Sequence, residues 1–227
     1  RWFKYISDMN SNVIRVYTTL KPDFYDALYE YNSNAIKKLY LMQGVWINEE
    51  DITELKDAYA NNDQIKNSFI KDSVDLVDII HGNATLPLRP GFASGEYKSD
   101  VSKYVIGWIL GIEWEADFVD GTNQNNPNRD TYSGVFLNTE GASPFEAFLC
   151  EVGDKVLDYE AEKYNMTRAL SFTNWLTTDM LKHPNEPYEK EDKAIVNTEH
   201  IKSKESFKSG LFASYHIYPY YPEFINY

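Results

Sequence analysis

Tyr104-Val105-Ile106-Gly107-Trp108-Ile109-Leu110-Gly111-Ile112-Glu113-Trp114-Glu115 runs almost without interruption in apolar residues and then ends in charge and aromatic rings. A short, continuous apolar run between polar loops reads as a strand buried on both faces, the condition of strands in a parallel sheet. Upstream, Val13-Ile14-Arg15-Val16-Tyr17 and Leu39-Tyr40-Leu41-Met42-Gln43-Gly44-Val45-Trp46-Ile47 have the same character. Downstream, Ala169-Leu170-Ser171-Phe172-Thr173-Asn174-Trp175 and Leu211-Phe212-Ala213-Ser214-Tyr215-His216-Ile217-Tyr218 repeat it.

Helical patterns separate these strands. Phe3, Ile6 and Met9 fit the end of a helix closed by Asn10-Ser11-Asn12, and the opening Arg1-Trp2-Phe3-Lys4 resembles the middle of one. Pro22 can open a second helix, along which Phe24, Leu28 and Tyr31 recur until Asn32-Ser33-Asn34. A long helical region is expected from about Ile52 to Ile80, preceded by Glu49, Glu50 and Asp51, whose charge suits a helix N-terminus. Ser143-Pro144-Phe145-Glu146 is a capping box for a helix reaching about Tyr164. The stretches 82–100 and 120–142 read as long loops, and a charged loop runs through about residue 205.

Strands alternating with helices, without hairpin signals, imply parallel crossovers and an α/β fold, either an open sheet or a (β/α) barrel. The barrel is favoured because polar and aromatic residues gather at every strand's C-terminal end, where barrel enzymes build their sites. These are Arg15 and Tyr17, Gln43 and Trp46, Glu113 and Glu115, Asn174 and Trp175, and His216 and Tyr218.

Composition narrows the chemistry. The 227 residues can bury a sizeable core, and a net charge of -13 sets the overall field against nucleic acid. No apolar run is long enough for a membrane-spanning helix. Aromatic residues make up 15%, including 18 Tyr and 5 Trp, an excess suited to stacking on sugar faces or to a large interface. The lone Cys150 falls in a helical pattern and is given no role. No glycine-rich phosphate loop or Gly-x-Ser-x-Gly elbow occurs, and His81, His183, His200 and His216 lack paired metal-ligand spacing. Neither a metal nor an organic cofactor is therefore expected.

Glu113, placed directly after an apolar strand, is the leading chemical candidate, because the rim of an apolar interior suits a carboxyl that must donate a proton near neutral pH. Glu115, two residues on, would face the same way if the chain stayed extended, and is a candidate binding carboxylate. Arg15 interrupts a buried strand and needs an anionic partner, either structural or inside the site. His216 and Tyr218 alternate along the last strand toward a shared partner, Asn174 offers an amide, and Trp46, Trp114, Trp175 and Tyr218 are candidate sugar platforms.

The segments YVIGWILGIEWE (104–115), NVIRVYTT (12–19), LYLMQGVWI (39–47) and ASYHIYPYYP (213–222) resemble strands four, two, three and six of the retaining glycoside hydrolases and transglycosidases. Those enzymes are (β/α)8 barrels with one catalytic Glu after the fourth strand and another after the seventh. The resemblance implies that Glu113 is the acid/base, that Arg15 supports the nucleophile, and that His216 and Tyr218 line the cleft. Tyr17, Gln43, Trp46, Trp114, Glu115, Asn174 and Trp175 would then be substrate contacts for an oligo- or polysaccharide. Two departures stand out: Ile112 occupies the place where the family carries Asn, and the expected nucleophile is not in this sequence. The expectation is a single barrel domain over 1–227, incomplete at both ends, holding about strands two to six. The resemblance alone suggests a location outside the cytoplasm or in the cell envelope. A carbohydrate-binding barrel without chemistry and an open α/β interaction domain are the competing expectations.

Overall fold

The computed structural model describes residues 1–184 and 188–218, so residues 219–222 of the fourth segment quoted above lie outside it. In chain order the elements are α1 (Trp2–Asp8), β1 (Val13–Val16), α2 (Pro22–Asn34), β2 (Tyr40–Val45), α3 (Glu49–Leu55), α4 (Ala60–Ile80), β3 (Ala84–Leu86) and β4 (Gly95–Tyr97). They continue as β5 (Val105–Leu110), α5 (Ala116–Asn125), β6 (Leu137–Thr139), α6 (Pro144–Tyr164), β7 (Ala169–Asn174), β8 (Ile201–Ser203) and β9 (Ser214–Tyr215).

Among the described residues, β1, β2, β5, β7 and β9 form one curled, half-barrel sheet, paired in parallel and in chain order. Because the order never reverses, successive crossovers of one hand leave the helices on one side, unlike a doubly wound sheet with helices on both. Register then sorts the strand residues. Arg15 pairs with Met42, Met42 with Gly107 and Gly107 with Ala169, which puts these positions and Gly44, Ile109 and Ser171 on one face. The opposite face carries Leu41, Gln43, Val45, Trp108, Leu110, Leu170 and Phe172, all buried. That face packs on the helices: a Cβ on Gly153 of α6 would come within 2.7 Å of the Phe172 ring.

The capping box of α6 is present as expected. Ser143 Oγ accepts from the Glu146 backbone N–H, and the Ser143 N–H donates to Glu146 Oε2 at 2.7 Å. Within α6, buried Asp154 accepts from the backbone N–H groups of Val135, Phe136 and Leu137, tying the preceding segment to the helix. Cys150 is fully buried there, and burial pushes its thiol up to about 12.

Four expectations need correction. The helix over 52–80 is broken: α3 ends at Lys56 in the left-handed region (φ 49), and Asn61, Asn62 and Asp63 also take positive φ, which Asn and Asp tolerate best. The loop over 82–100 contains the antiparallel hairpin β3–β4, too short for its alternation to show. The loop over 120–142 holds the end of α5 and strand β6, which pairs antiparallel with β8 from within the supposed charged loop. The last strand is shorter than 211–218, with only Ser214–Tyr215 in the ladder beside β7 and a lone bridge from Leu211 to Leu170.

Candidate functional site

The C-terminal rim of the sheet is built by the face that carries Arg15. At its centre, just past β5, Glu113 Oε1 accepts from Nδ1 of His216 (2.8 Å) and from the Tyr218 hydroxyl (2.9 Å). Both bonds fall on the same oxygen, and the Glu113 side chain remains 35% exposed, so Oε2 is the oxygen left to meet a ligand. The carboxylate beside it also raises the pKa of the Tyr218 hydroxyl, since the neutral phenol is the form that donates.

Arg15 Nη2 lies 3.3 Å from the other ring nitrogen of His216, Nε2. A guanidinium only donates, so Nε2 must accept, and the ring proton of a neutral His216 is thereby assigned to Nδ1, where it serves Glu113. Arg15, His216 and Glu113 thus form a relay of fixed polarity. The guanidinium also stacks 4.5 Å from the Tyr17 ring centre. Its Nε is buried without a hydrogen-bond partner, and among the described residues no carboxylate lies within ion-pair distance.

Aromatic side chains wall this relay. The Tyr17 and Trp175 rings stand edge-on to His216 at 6.2 and 6.3 Å, and Trp175 meets Tyr218 at 5.6 Å. Tyr17 in turn meets Trp46 at 6.1 Å, and Trp46 Nε1 donates to Glu49 Oε1 (2.8 Å). A cleft of about 980 Å³ beside the ends of β1 and β2 is lined by Tyr17 and Trp46 together with Leu86, Arg89 and Phe92 of the β3–β4 hairpin. Arg89 pairs with Asp72 (3.4 Å), and Glu50, Asp75 and Lys71 add further charge to the lining. Burial raises the pKa of Asp72, with Arg89 working against it.

Seven of the sequence candidates therefore meet at one rim: Arg15, Tyr17, Trp46, Glu113, Trp175, His216 and Tyr218. Four do not. Gln43 sits on the helix side of β2, fully buried, where it accepts from the Tyr25 hydroxyl and donates to the carbonyls of Thr18 and Gly44. Asn174 shares that buried side on β7 and reaches toward the Val196 carbonyl at 3.5 Å. Trp114 is fully buried among Phe69, Phe118 and Phe145, with Nε1 donating to the Thr173 carbonyl, so it offers no face to a sugar. Glu115 turns away from Glu113 to cap α5, accepting from the backbone N–H groups of Asp117 and Phe118 while paired with Lys190.

Strand alternation accounts for two of these corrections, because Gln43 and Asn174 have the parity of the helix-facing residues. Chain direction accounts for the other two. Gly111, at φ 104, turns the backbone so that Trp114 folds beneath it, where an added Cβ would fall 2.1 Å from the ring. The hairpin residues Leu86, Arg89 and Phe92 were missed, and the only available signal was the length of the Gly- and Pro-rich loop that carries them. Compared with models of known families, with curated proteins and with solved structures, the chain has no match.

Proposed function

We propose that this sheet is part of a (β/α)8 barrel whose C-terminal rim hydrolyses or transfers O-glycosidic bonds of an oligo- or polysaccharide with retention of configuration. The observation that carries the proposal is the arrangement around Glu113: one oxygen held by two donors, the other open, and an unpaired guanidinium one residue away through His216. Glu113 protonates the leaving oxygen through Oε2 and then takes a proton from water or an acceptor hydroxyl. A second carboxylate, about 5–5.5 Å from it, attacks the anomeric carbon. Arg15 supplies the positive charge such a carboxylate needs, which gives its own partly buried guanidinium a counter-ion. Tyr17, Trp46 and Trp175 hold the sugar rings, and the cleft beside Tyr17 and Trp46 receives the rest of the chain.

The test uses the chain with its natural flanks and a panel of aryl glycosides and neutral oligosaccharides. Turnover with retained anomeric configuration, falling about 10²–10⁴-fold in Glu113→Gln, is the expected result. Turnover unchanged by that substitution, or an inverted product, would overturn the mechanism. One observation favours a second reading, a carbohydrate-binding barrel without chemistry: Ile112 is buried in the core where the resembling family places an amide against the sugar 2-hydroxyl. Saturable oligosaccharide binding without turnover would establish that reading instead.

A further inference from the structure

A second cluster lies outside the candidate cleft, in the segment that leaves β7 past Trp175. His183 is buried to 2% side-chain exposure and Glu191 to 3%, and Nδ1 of His183 stands 3.1 Å from Glu191 Oε1. The same ring nitrogen stands 3.0 Å from Oδ1 of Asp192. The three donor atoms all fall within 4.8 Å of one another. The remaining atoms of the cluster are oriented as well: Asp192 Oδ2 accepts from the His183 backbone N–H at 2.8 Å, and Nε2 of His183 faces Asp179 Oδ1 at 3.9 Å. Asp179 is held in turn by the Leu181 backbone N–H.

We propose that His183 Nδ1, Glu191 and Asp192 bind a divalent cation of the zinc or manganese class. Nδ1 of His183 faces one oxygen of each carboxylate, so the three donors converge, and a divalent ion between them would match the two negative charges with two positive ones. The separations suit the ion. Bonds of about 2.1 Å in a tetrahedral site require neighbouring donors about 3.4 Å apart, so the ring nitrogen needs to draw back from each oxygen by only a few tenths of an ångström. The donor set selects the class, because one imidazole with two carboxylates suits first-row transition ions, whereas calcium requires more oxygens. Asp179, 3.9 Å from the ring nitrogen that does not face the ion, is close enough to tighten into the outer carboxylate that a metal-bound histidine normally has.

The bound ion would staple a segment already tied to α5, since Lys190 pairs with Glu115 and Asp117, and Lys193 with Asp117. It would thereby hold the chain that follows Trp175. None of this rests on the glycosidase proposal.

The experiment titrates the chelator-treated chain, with its natural flanks, against Zn²⁺, Mn²⁺, Ca²⁺ and Mg²⁺ by calorimetry, with thermal unfolding followed in parallel. One equivalent of Zn²⁺ or Mn²⁺ bound, with a raised Tm, is expected, and Asp179→Asn should weaken binding about 10–100-fold. The paired substitution Glu191→Gln with Asp192→Asn, isosteric in both side chains, should abolish binding while the circular dichroism stays native. Absence of binding by the unaltered chain, equal affinity in the paired variant, or preference for Ca²⁺ over both transition ions would overturn the proposal. Should the paired variant fail to fold, the affinity of Asp179→Asn decides: an unchanged value overturns the outer-carboxylate geometry on which the site rests.

Discussion

His216 shows how two neighbours settle a residue's chemistry. Its ring could carry the proton on either nitrogen, but a guanidinium on one side and a carboxylate on the other leave one neutral tautomer. Long-range ¹H–¹⁵N correlation spectra should therefore report His216 protonated at Nδ1, and Arg15→Met should shift the population toward the Nε2 form. A spectrum showing Nε2–H in the unaltered chain would break the relay. Cys150 gives a simpler case. Burial pushes its thiol up to about 12 and shields it from solvent, so it should ignore thiol reagents in the native state and react only on unfolding.

Two turns matter most among the elements. At the start of α6, Ser143 and Glu146 cap each other, and Glu146 also accepts from the Asn197 backbone N–H and contacts His200 Nδ1 at 2.7 Å. Ser143→Ala should cost about 1 kcal/mol in denaturant unfolding, because an orphaned N–H of the first turn loses its partner. The turn after β5 is less forgiving. At φ 104, with the Trp114 ring 2.1 Å from where a Cβ would sit, Gly111→Ala combines backbone strain with overpacking and should cost about 2–4 kcal/mol. The first boundary was legible because its residues act within one helical turn. The second was not, because what excludes a side chain from Gly111 is a ring that only the folded turn brings back.

Across the whole molecule, the helix layer is bound to the sheet by a buried polar centre. Glu160 of α6 is fully buried, accepting from Arg168 (2.9 Å) ahead of β7 and from Trp108 of β5, and lies 3.1 Å from Nε2 of His81 at the end of α4. Burial presses its pKa upward, but the hydrogen bonds from His81, Arg168 and Trp108 outweigh that and hold it below the ordinary glutamate value. A carboxyl lowered on folding adds stability above its unfolded pKa and loses it as pH falls through the folded one. Acid unfolding should therefore set in below about pH 4, and Glu160→Gln should flatten that dependence. The same substitution should cost about 3–5 kcal/mol at neutral pH, because it leaves the Arg168 guanidinium buried without its carboxylate. Equal acid sensitivity in the variant would place the titrating group elsewhere.

The sequence by itself determined the α/β class, the five parallel strands and the helices at Pro22 and Pro144, because those depend on apolar runs, short-range periodicity and caps that neighbouring residues supply. It also brought Glu113, Arg15, His216 and Tyr218 forward as candidates at strand ends, and the structure places these four side by side. Which candidates share a surface was decided only by the tertiary structure. Gln43 and Asn174 lie on the other side of the sheet by strand parity, Trp114 is folded into the core by a left-handed glycine, and Glu115 is spent on a helix end. The cluster of His183, Glu191 and Asp192 lay equally hidden, since a loop's return on itself follows no period. Contacts between residues distant along the chain leave no local pattern, and they alone separate the rim from the core.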